Sequence, residues 1–156
     1  MITKKEQAHM LSEAIKIAVD AHAEQFDRGG KPYILHCLAV MHKLRDEDEE
    51  TQCIGVLHDS VEDNRKITYA YLRERGMSER VINGVCCITK VPGETEEEYL
   101  EKVLSNVDTM KAKKEDLNHN SKLSRLKGVT EKDLERNKKY QKMYFVINSR
   151  LNEVKA

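Results

Sequence analysis

Residues 29–63 read GGKPYILHCLAVMHKLRDEDEETQCIGVLHDSVED, and most of what decides the fold and the chemistry of the chain lies in this stretch. Gly29 and Gly30 break the helix before them and Pro32 is poorly suited to continuing one, so DRGGKPYI is an ordered loop that delivers His36 to the start of the next helix. His36 to Leu44 is apolar enough to be buried. The acidic run RDEDEE then supplies a turn and the negatively charged first turn that favours a third helix, expected over about Glu49 to Glu62. On that helix His58 and Asp59 lie about 100° apart, so both can reach an ion set between their directions. Glu62 follows His58 by four residues and Asp59 by three, and Asp63 stands four beyond Asp59, which points all four side chains into one cleft.

The apolar run IGVL before the His-Asp pair marks this face as half buried. Unpaired carboxylates are costly there, and a bound cation relieves the cost while lowering the pKa of its water. An isolated His-Asp dipeptide is common and is most often a pair of charges at a helix end. Two further features lift it above that base. His36 sits at a buried helix start behind a constrained loop, and Asp116 and Asn120 share one face of a later helical segment. His36, His58, Asp59 and Asp116 then make a plausible shell completed by waters. Mixed nitrogen and oxygen ligands with open positions suit manganese, ferrous iron or zinc better than calcium. With Glu62 and Asp63 beside such an ion, the set is equipped for metal-assisted hydrolysis of a phosphate ester.

Composition bounds the rest. The 156 residues fit one domain, 1–156, with a core that needs no disulfide or metal staple. Lysine plus arginine balance aspartate plus glutamate at 27 each, so no whole-molecule field favours nucleic acid or a membrane surface, and anion recognition must be local. Tryptophan is absent, proline occurs only at Pro32 and Pro92 and glycine is sparse, so the expected class is all-α. The four cysteines form no CxxC pattern and fit reduced thiols in the cytoplasm. The N-terminus reads as an amphipathic helix rather than a signal peptide, and no apolar run approaches the roughly 18 residues that cross a bilayer. The apolar stripes are all needed by a helical core and assign no oligomeric state.

The first helix is expected from about Lys4 to Gln25 on the stripe Leu11, Ala14, Ile15, Ala18, Val19 and His22. Thr68 and Ser78 look like N-caps of two short helices, and Thr95 with Glu98 matches a capping box. Thr130 precedes a long final helix with Leu134, Tyr140, Tyr144, Ile147 and Leu151 in phase, the two tyrosines packing it onto the bundle. KAKKED, before Asp116, reads as solvent-facing helix, and Cys86-Cys87 as a buried pair of small side chains. His22 reads as a satisfied core or supporting histidine, and His9, His42 and His119 as partly exposed. Arg28, Lys31, Lys90, Lys122 and Arg125 are the cations placed to bind phosphates, an arginine fork matching phosphate oxygens and a lysine acting as a point charge.

Taken in order, AHAEQFDRGGKPYILH, VLHDSVED, ITK, DLNHNSKLSRL and KKY resemble the HD-domain phosphohydrolases, and within them the small alarmone hydrolases similar to the hydrolase half of RelA/SpoT proteins. The resemblance covers nearly the whole chain and implies a compact helical bundle of HD-domain type. It implies Mn2+ as the ion, with another divalent transition metal as the alternative, and His36, His58, Asp59 and Asp116 as its ligands. It assigns Glu62 and Asp63 to the catalytic acidic pair, Asn120 to ribose contact, and Tyr33 and Lys90 to positions at or near the pocket. The implied substrate is a small nucleotide, guanosine 3′,5′-bis(diphosphate), split to GDP and pyrophosphate. Another phosphorylated nucleotide such as NADPH, or a non-catalytic metal- or nucleotide-binding regulatory role, are the alternatives. Three positions depart from the family pattern: Asp27 replaces a basic residue that packs on guanine, Leu123 a threonine that holds the ribose, and Cys37 a proline after the first histidine.

Overall fold

Side-chain caps set most of the helix starts in the computed structural model, which describes residues 2–155. Thr3 accepts the Glu6 N–H at 3.2 Å and Glu6 returns a bond to the Thr3 N–H at 2.6 Å, a reciprocal cap that opens α1, Lys4–Ala21. After α2, Ile34–Lys43, the Asp48 carboxylate caps α3, Glu49–Leu57, by accepting the Thr51 N–H. A four-residue turn, α4, spans Ser60–Asp63. Thr68 caps α5, Tyr69–Glu74, and Ser78 caps α6, Glu79–Ile88, both as the sequence reading expects. Thr95 caps α7, Glu96–Leu104, through the forward half of the expected box, Glu98 N–H to Thr95 Oγ1 at 3.0 Å. Asn106 caps α8, Val107–Asn120, and a short 3-10 turn at Leu123–Arg125 leads to α9, Glu131–Lys155.

The architecture is an all-α bundle, as the sequence reading expects. Among the described residues the β-type pairing is limited to one bridge, Phe26 with Pro32, which closes the loop between α1 and α2. α3 lies at the centre and packs against α1, α2, α6 and α8. Its Cys53, Ile54, Val56 and Leu57 are fully buried with Ile17 and Ala18 of α1, Val40 of α2 and Val85 of α6. A smaller apolar cluster joins Tyr99 and Val103 of α7, Met110 and Leu117 of α8, and Ile147 and Leu151 of α9. Arg80 of α6 ties the starts of α3 and α8 together, donating to Asp48 at 2.7 Å, Glu50 at 2.9 Å and Asp108 at 2.8 Å. No helix among the described residues is long and apolar enough to cross a membrane.

One close approach makes this arrangement possible. A Cβ at Gly84 of α6 would stand 2.2 Å from Ile54 Cδ1, and Thr109 Oγ1 donates to the Gly84 carbonyl at 2.8 Å, so α6 is held tightly against both α3 and α8. Gly84→Ala is therefore expected to lower stability by about 1–3 kcal/mol, the usual effect of overpacking a closed core. Urea unfolding checks this; a midpoint equal to that of the parent chain contradicts it.

Several expectations are corrected. α1 stops at Ala21 rather than Gln25, because the chain turns at His22, where Gln25 N–H bonds the His22 carbonyl at 3.0 Å and the Asn64 amide takes the Ala21 carbonyl at 3.1 Å. The third helix does not run on to Glu62. His58 Nδ1 bonds the Gly55 carbonyl at 2.7 Å, the acceptor a continuous helix would offer to the Asp59 N–H, and the helix breaks at the His-Asp pair before α4. KAKKED is not a solvent-facing strip, since Ala112 is fully buried and the Lys113 side chain is only 12% exposed. Cys86 is exposed and Cys87 half-buried, because α6 turns its Val81, Ile82, Val85 and Ile88 face inward. Leu134 is exposed, although Tyr140, Tyr144, Ile147 and Leu151 pack as expected.

Candidate metal centre

The break after α3 places His58 and Asp59 side by side at the meeting point of α2, α3 and α8. His36, His58, Asp59 and Asp116 each bring one ligand-type atom into a group whose members all lie within 4.8 Å of one another. His36 Nε2 lies 3.2 Å from His58 Nε2, 2.9 Å from Asp116 Oδ1 and 3.9 Å from Asp59 Oδ2. His58 Nε2 lies 2.9 Å from Asp59 Oδ2 and 3.2 Å from Asp116 Oδ1. Ligands each about 2.1 Å from one ion stand roughly 3–4 Å apart, so these separations fit a single first-row divalent ion. Both imidazoles are buried, and so is Asp116, while Asp59 keeps a side chain 19% exposed.

The tautomers and carboxylates are held from behind. His58 Nδ1 faces the Gly55 carbonyl at 2.7 Å, which fixes the proton there and turns Nε2 toward the cluster. His36 Nδ1 faces His119 Nδ1 at 2.7 Å, the two rings stacked at 4.9 Å between centroids. Burial lowers His36 against the pull of Asp116, and burial followed by Arg125 lowers His119 to about 4, so both are neutral imidazoles at neutral pH. The Tyr33 hydroxyl donates to Asp59 Oδ2 at 2.5 Å, and the Asn120 amide to Asp116 Oδ1 at 2.9 Å. Burial opposes ionisation of Asp59, yet His58 and then Tyr33 outweigh it and hold the carboxyl at about 2. For Asp116 burial is again outweighed, by Lys113 and then His58, and its carboxyl lies well below the ordinary range.

A pH dependence follows for the metal-free chain. With folded pKa values depressed, the unfolded chain binds more protons in the acid range, so Asp59 and Asp116 add stability that is complete above an ordinary aspartate value of about 4. That stability is expected to fade as the pH drops from about 4 through about 2. Chelator-treated protein unfolded in urea across this window checks it, and Asp59→Asn is expected to flatten the profile; identical profiles for the two chains contradict the assignment.

Glu62 and Asp63 stand at the rim on α4, outside the four-residue group. Glu62 Oε1 accepts the Lys90 N–H at 3.0 Å, and Asp63 Oδ2 accepts the Gln25 amide at 2.9 Å and lies 3.9 Å from His22 Nδ1. Partial burial, reinforced by the neighbouring Asp59 charge, raises both carboxyl groups above their ordinary values. Such groups hold a proton more readily than exposed acids do.

Beside the cluster opens a cleft of about 340 Å³ between the α1–α2 loop, the Leu123–Arg125 turn and α9. Tyr33 and Asn120 line it on the cluster side, Arg28, Lys122, Arg125 and Leu123 around it, and Tyr140 at the α9 wall. Gly29 lets the loop close on this turn: a Cβ there would stand 2.2 Å from the Arg125 carbonyl oxygen. Arg28 pairs with Asp133 at 3.7 Å, and Arg125 bridges the Asn120 side chain at 3.2 Å to Asp27 at 3.4 Å. Asp27 also accepts the Lys31 N–H at 2.9 Å, so the departing residue organises its own loop and neutralises Arg125. Lys31 itself is exposed and is not among the residues that line the cleft. Lys90 is exposed, with Nζ 5.3 Å from the Tyr99 ring centroid.

One supporting residue escapes the sequence reading. Lys113 Nζ bonds Asp116 Oδ2 at 2.9 Å, a contact that the i, i+3 spacing on α8 carries but that the charge-rich wording of KAKKED conceals. His119 is partly exposed, as read, and its contact with His36 is a pairing across 83 residues that no local pattern signals.

The helical bundle gathers a His, His, Asp, Asp group on a His-Asp dipeptide, as the resemblance seen in the sequence implies. The chain is 34% identical over 110 residues, 66% of its own length, to the guanosine-3′,5′-bis(diphosphate) 3′-pyrophosphohydrolase of Aquifex aeolicus, and this covers 16% of that protein. It is 45% identical over 56 residues to the probable guanosine-3′,5′-bis(diphosphate) 3′-pyrophosphohydrolase of Synechocystis, 35% of this chain and 7% of the other. It is also 34% identical over 90 residues to the putative GTP diphosphokinase RSH1, chloroplastic, of Oryza sativa subsp. japonica, 55% of this chain and 10% of the other. The chain thus spans at most 16% of the length of these curated relatives. No family model matches it. The chain is thus similar, over part of its length, to segments of guanosine-3′,5′-bis(diphosphate) 3′-pyrophosphohydrolases and of an RSH1 protein.

Proposed function

We propose that the chain, read as a single domain over residues 1–156, is a metal-dependent phosphohydrolase that splits guanosine 3′,5′-bis(diphosphate) into GDP and pyrophosphate. The convergence of His36, His58, Asp59 and Asp116 beside a cleft lined with cations carries the reading. The activity named for the Aquifex aeolicus relative directs the choice of substrate.

In this account the four residues hold Mn2+, or another divalent transition metal, which when bound neutralises phosphate charge and makes its water acidic enough to attack near neutral pH. Glu62 and Asp63 take up the proton of the attacking water and return one to the leaving group. Tyr33 keeps Asp59 oriented, and Asn120 is placed at the cleft for the ribose. Arg28 and Arg125 hold the phosphates that are not cleaved, while Lys31 and Lys90 act from outside as mobile point charges. The partner is a small nucleotide rather than nucleic acid or a membrane, since the chain carries no net charge. A cytoplasmic location fits four cysteines that are free in the structure.

A second reading, hydrolysis of another phosphorylated nucleotide such as NADPH, is favoured by the cleft itself. Asp27 neutralises Arg125, so guanine recognition is expected to be weaker than in full-length relatives, and Leu123 offers no hydroxyl to a ribose. A panel of (p)ppGpp, NADPH, GTP, ATP and deoxynucleotides with Mn2+, scored for pyrophosphate against orthophosphate, tests both. Pyrophosphate released from ppGpp supports the main reading, and orthophosphate from NADPH alone selects the second. Turnover of none leaves a regulatory metal- or nucleotide-binding module and overturns the enzyme assignment. A guanine preference equal to that of the Aquifex aeolicus protein contradicts the role given to Asp27.

A further inference from the structure

Asp116 divides its two oxygens between different neighbours. Oδ1 faces His36 Nε2 at 2.9 Å, His58 Nε2 at 3.2 Å and the Asn120 amide at 2.9 Å, which places it on the cluster side. Oδ2 meets the Lys113 ammonium at 2.9 Å. That lysine is enclosed: its side chain is 12% exposed, and Nζ lies 5.5 Å from the Tyr99 ring centroid. Tyr99 is itself fixed, 5% exposed with its hydroxyl donating to the Ile88 carbonyl at 2.7 Å. Lys113 is absent from the cleft lining, so its charge serves Asp116 and not a phosphate in the cleft.

We propose that Lys113 is a positioning residue that occupies the outer oxygen of Asp116 and compels this carboxylate to give the ion one oxygen rather than two. The proposal rests on the reading of the four residues as ligands of a divalent ion. Carboxylates bind divalent ions through one oxygen or both, and a second oxygen from Asp116 would fill a position that hydrolysis needs for water or phosphate. An ammonium this close to a dication also repels it. Lys113 therefore weakens ion binding while keeping the site open, and its removal has opposite effects on affinity and turnover. A purely supporting residue behaves otherwise: losing an outer partner of a ligand typically weakens metal affinity about 10–100-fold.

The test is calorimetric titration of the metal-free full chain with MnCl2, together with kcat on ppGpp at saturating Mn2+, for the parent, Lys113→Met and Lys113→Arg. Lys113→Met is expected to bind Mn2+ severalfold more tightly while kcat falls about tenfold or more, the scale of a mispositioned site. Lys113→Arg, whose guanidinium can still occupy Oδ2, is expected to restore both toward the parent. Weaker Mn2+ binding in Lys113→Met, or an unchanged kcat, overturns the proposal. Should Lys113→Met fail to fold, Lys113→Gln decides: tighter Mn2+ binding with kcat largely kept supports it, and weaker binding with lost kcat overturns it. A parent chain that binds no Mn2+ removes the ion reading itself, which separates that failure from this one.

Discussion

Asp59→Ala is expected to lose essentially all turnover while keeping its helical content. Asp59 Oδ2 is the oxygen on which His58 Nε2 and the Tyr33 hydroxyl converge, at 2.9 Å and 2.5 Å. Removing it takes one negative charge from the four-residue group and leaves the Tyr33 hydroxyl without this acceptor. The stability cost of such an orphaned group is about 1–3 kcal/mol, small enough for a bundle whose core is built from α3 and its neighbours to survive. The cost to catalysis is larger, because ion affinity and the charge stabilisation it brings fall together. Turnover of ppGpp with excess Mn2+, far-ultraviolet circular dichroism and Mn2+ titration together check this. A folded Asp59→Ala chain with normal rates removes the catalytic assignment.

Glu62→Gln has the second largest expected effect and a different signature. The amide has the shape of the carboxylate and can still accept the Lys90 N–H through its oxygen, so the rim is expected to keep its geometry. What is lost is the ability to take a proton. The expected fall in kcat is about 10²–10⁴-fold, the range that general acid–base groups contribute. Mn2+ affinity should change little, since Glu62 stands outside the group formed by His36, His58, Asp59 and Asp116. A Glu62→Gln chain whose kcat is unchanged contradicts the proton role, and one that loses Mn2+ binding instead moves Glu62 into the ion's shell.

Local physics explains which parts of this could be read in the chain. The caps at Thr68, Ser78 and Thr95 were legible because a side-chain oxygen three residues ahead of a helical N–H is a short-range signal. His36, His58, Asp59 and Asp116 could be singled out, since residue type and half-buried context point to an ion. The break at His58 could not be foreseen from periodicity, because it depends on a side chain competing for the Gly55 carbonyl. Lys113 was hidden by composition: a lysine in a charge-rich run is normally solvated, whereas this one lies between Asp116 and the Tyr99 ring. The His36–His119 contact is tertiary, made when α8 crosses α2. Asp27 was visible as a departure, but its bonds to the Lys31 N–H and to Arg125 belong to the folded loop.

Crystals equilibrated with MnCl2 and measured for manganese anomalous scattering address the ion most directly. The predicted result is one strong peak within bonding distance of His36 Nε2, His58 Nε2, Asp59 Oδ2 and Asp116 Oδ1. A map with no peak among these four atoms, or with Asp116 turned away from the other three, would contradict the account.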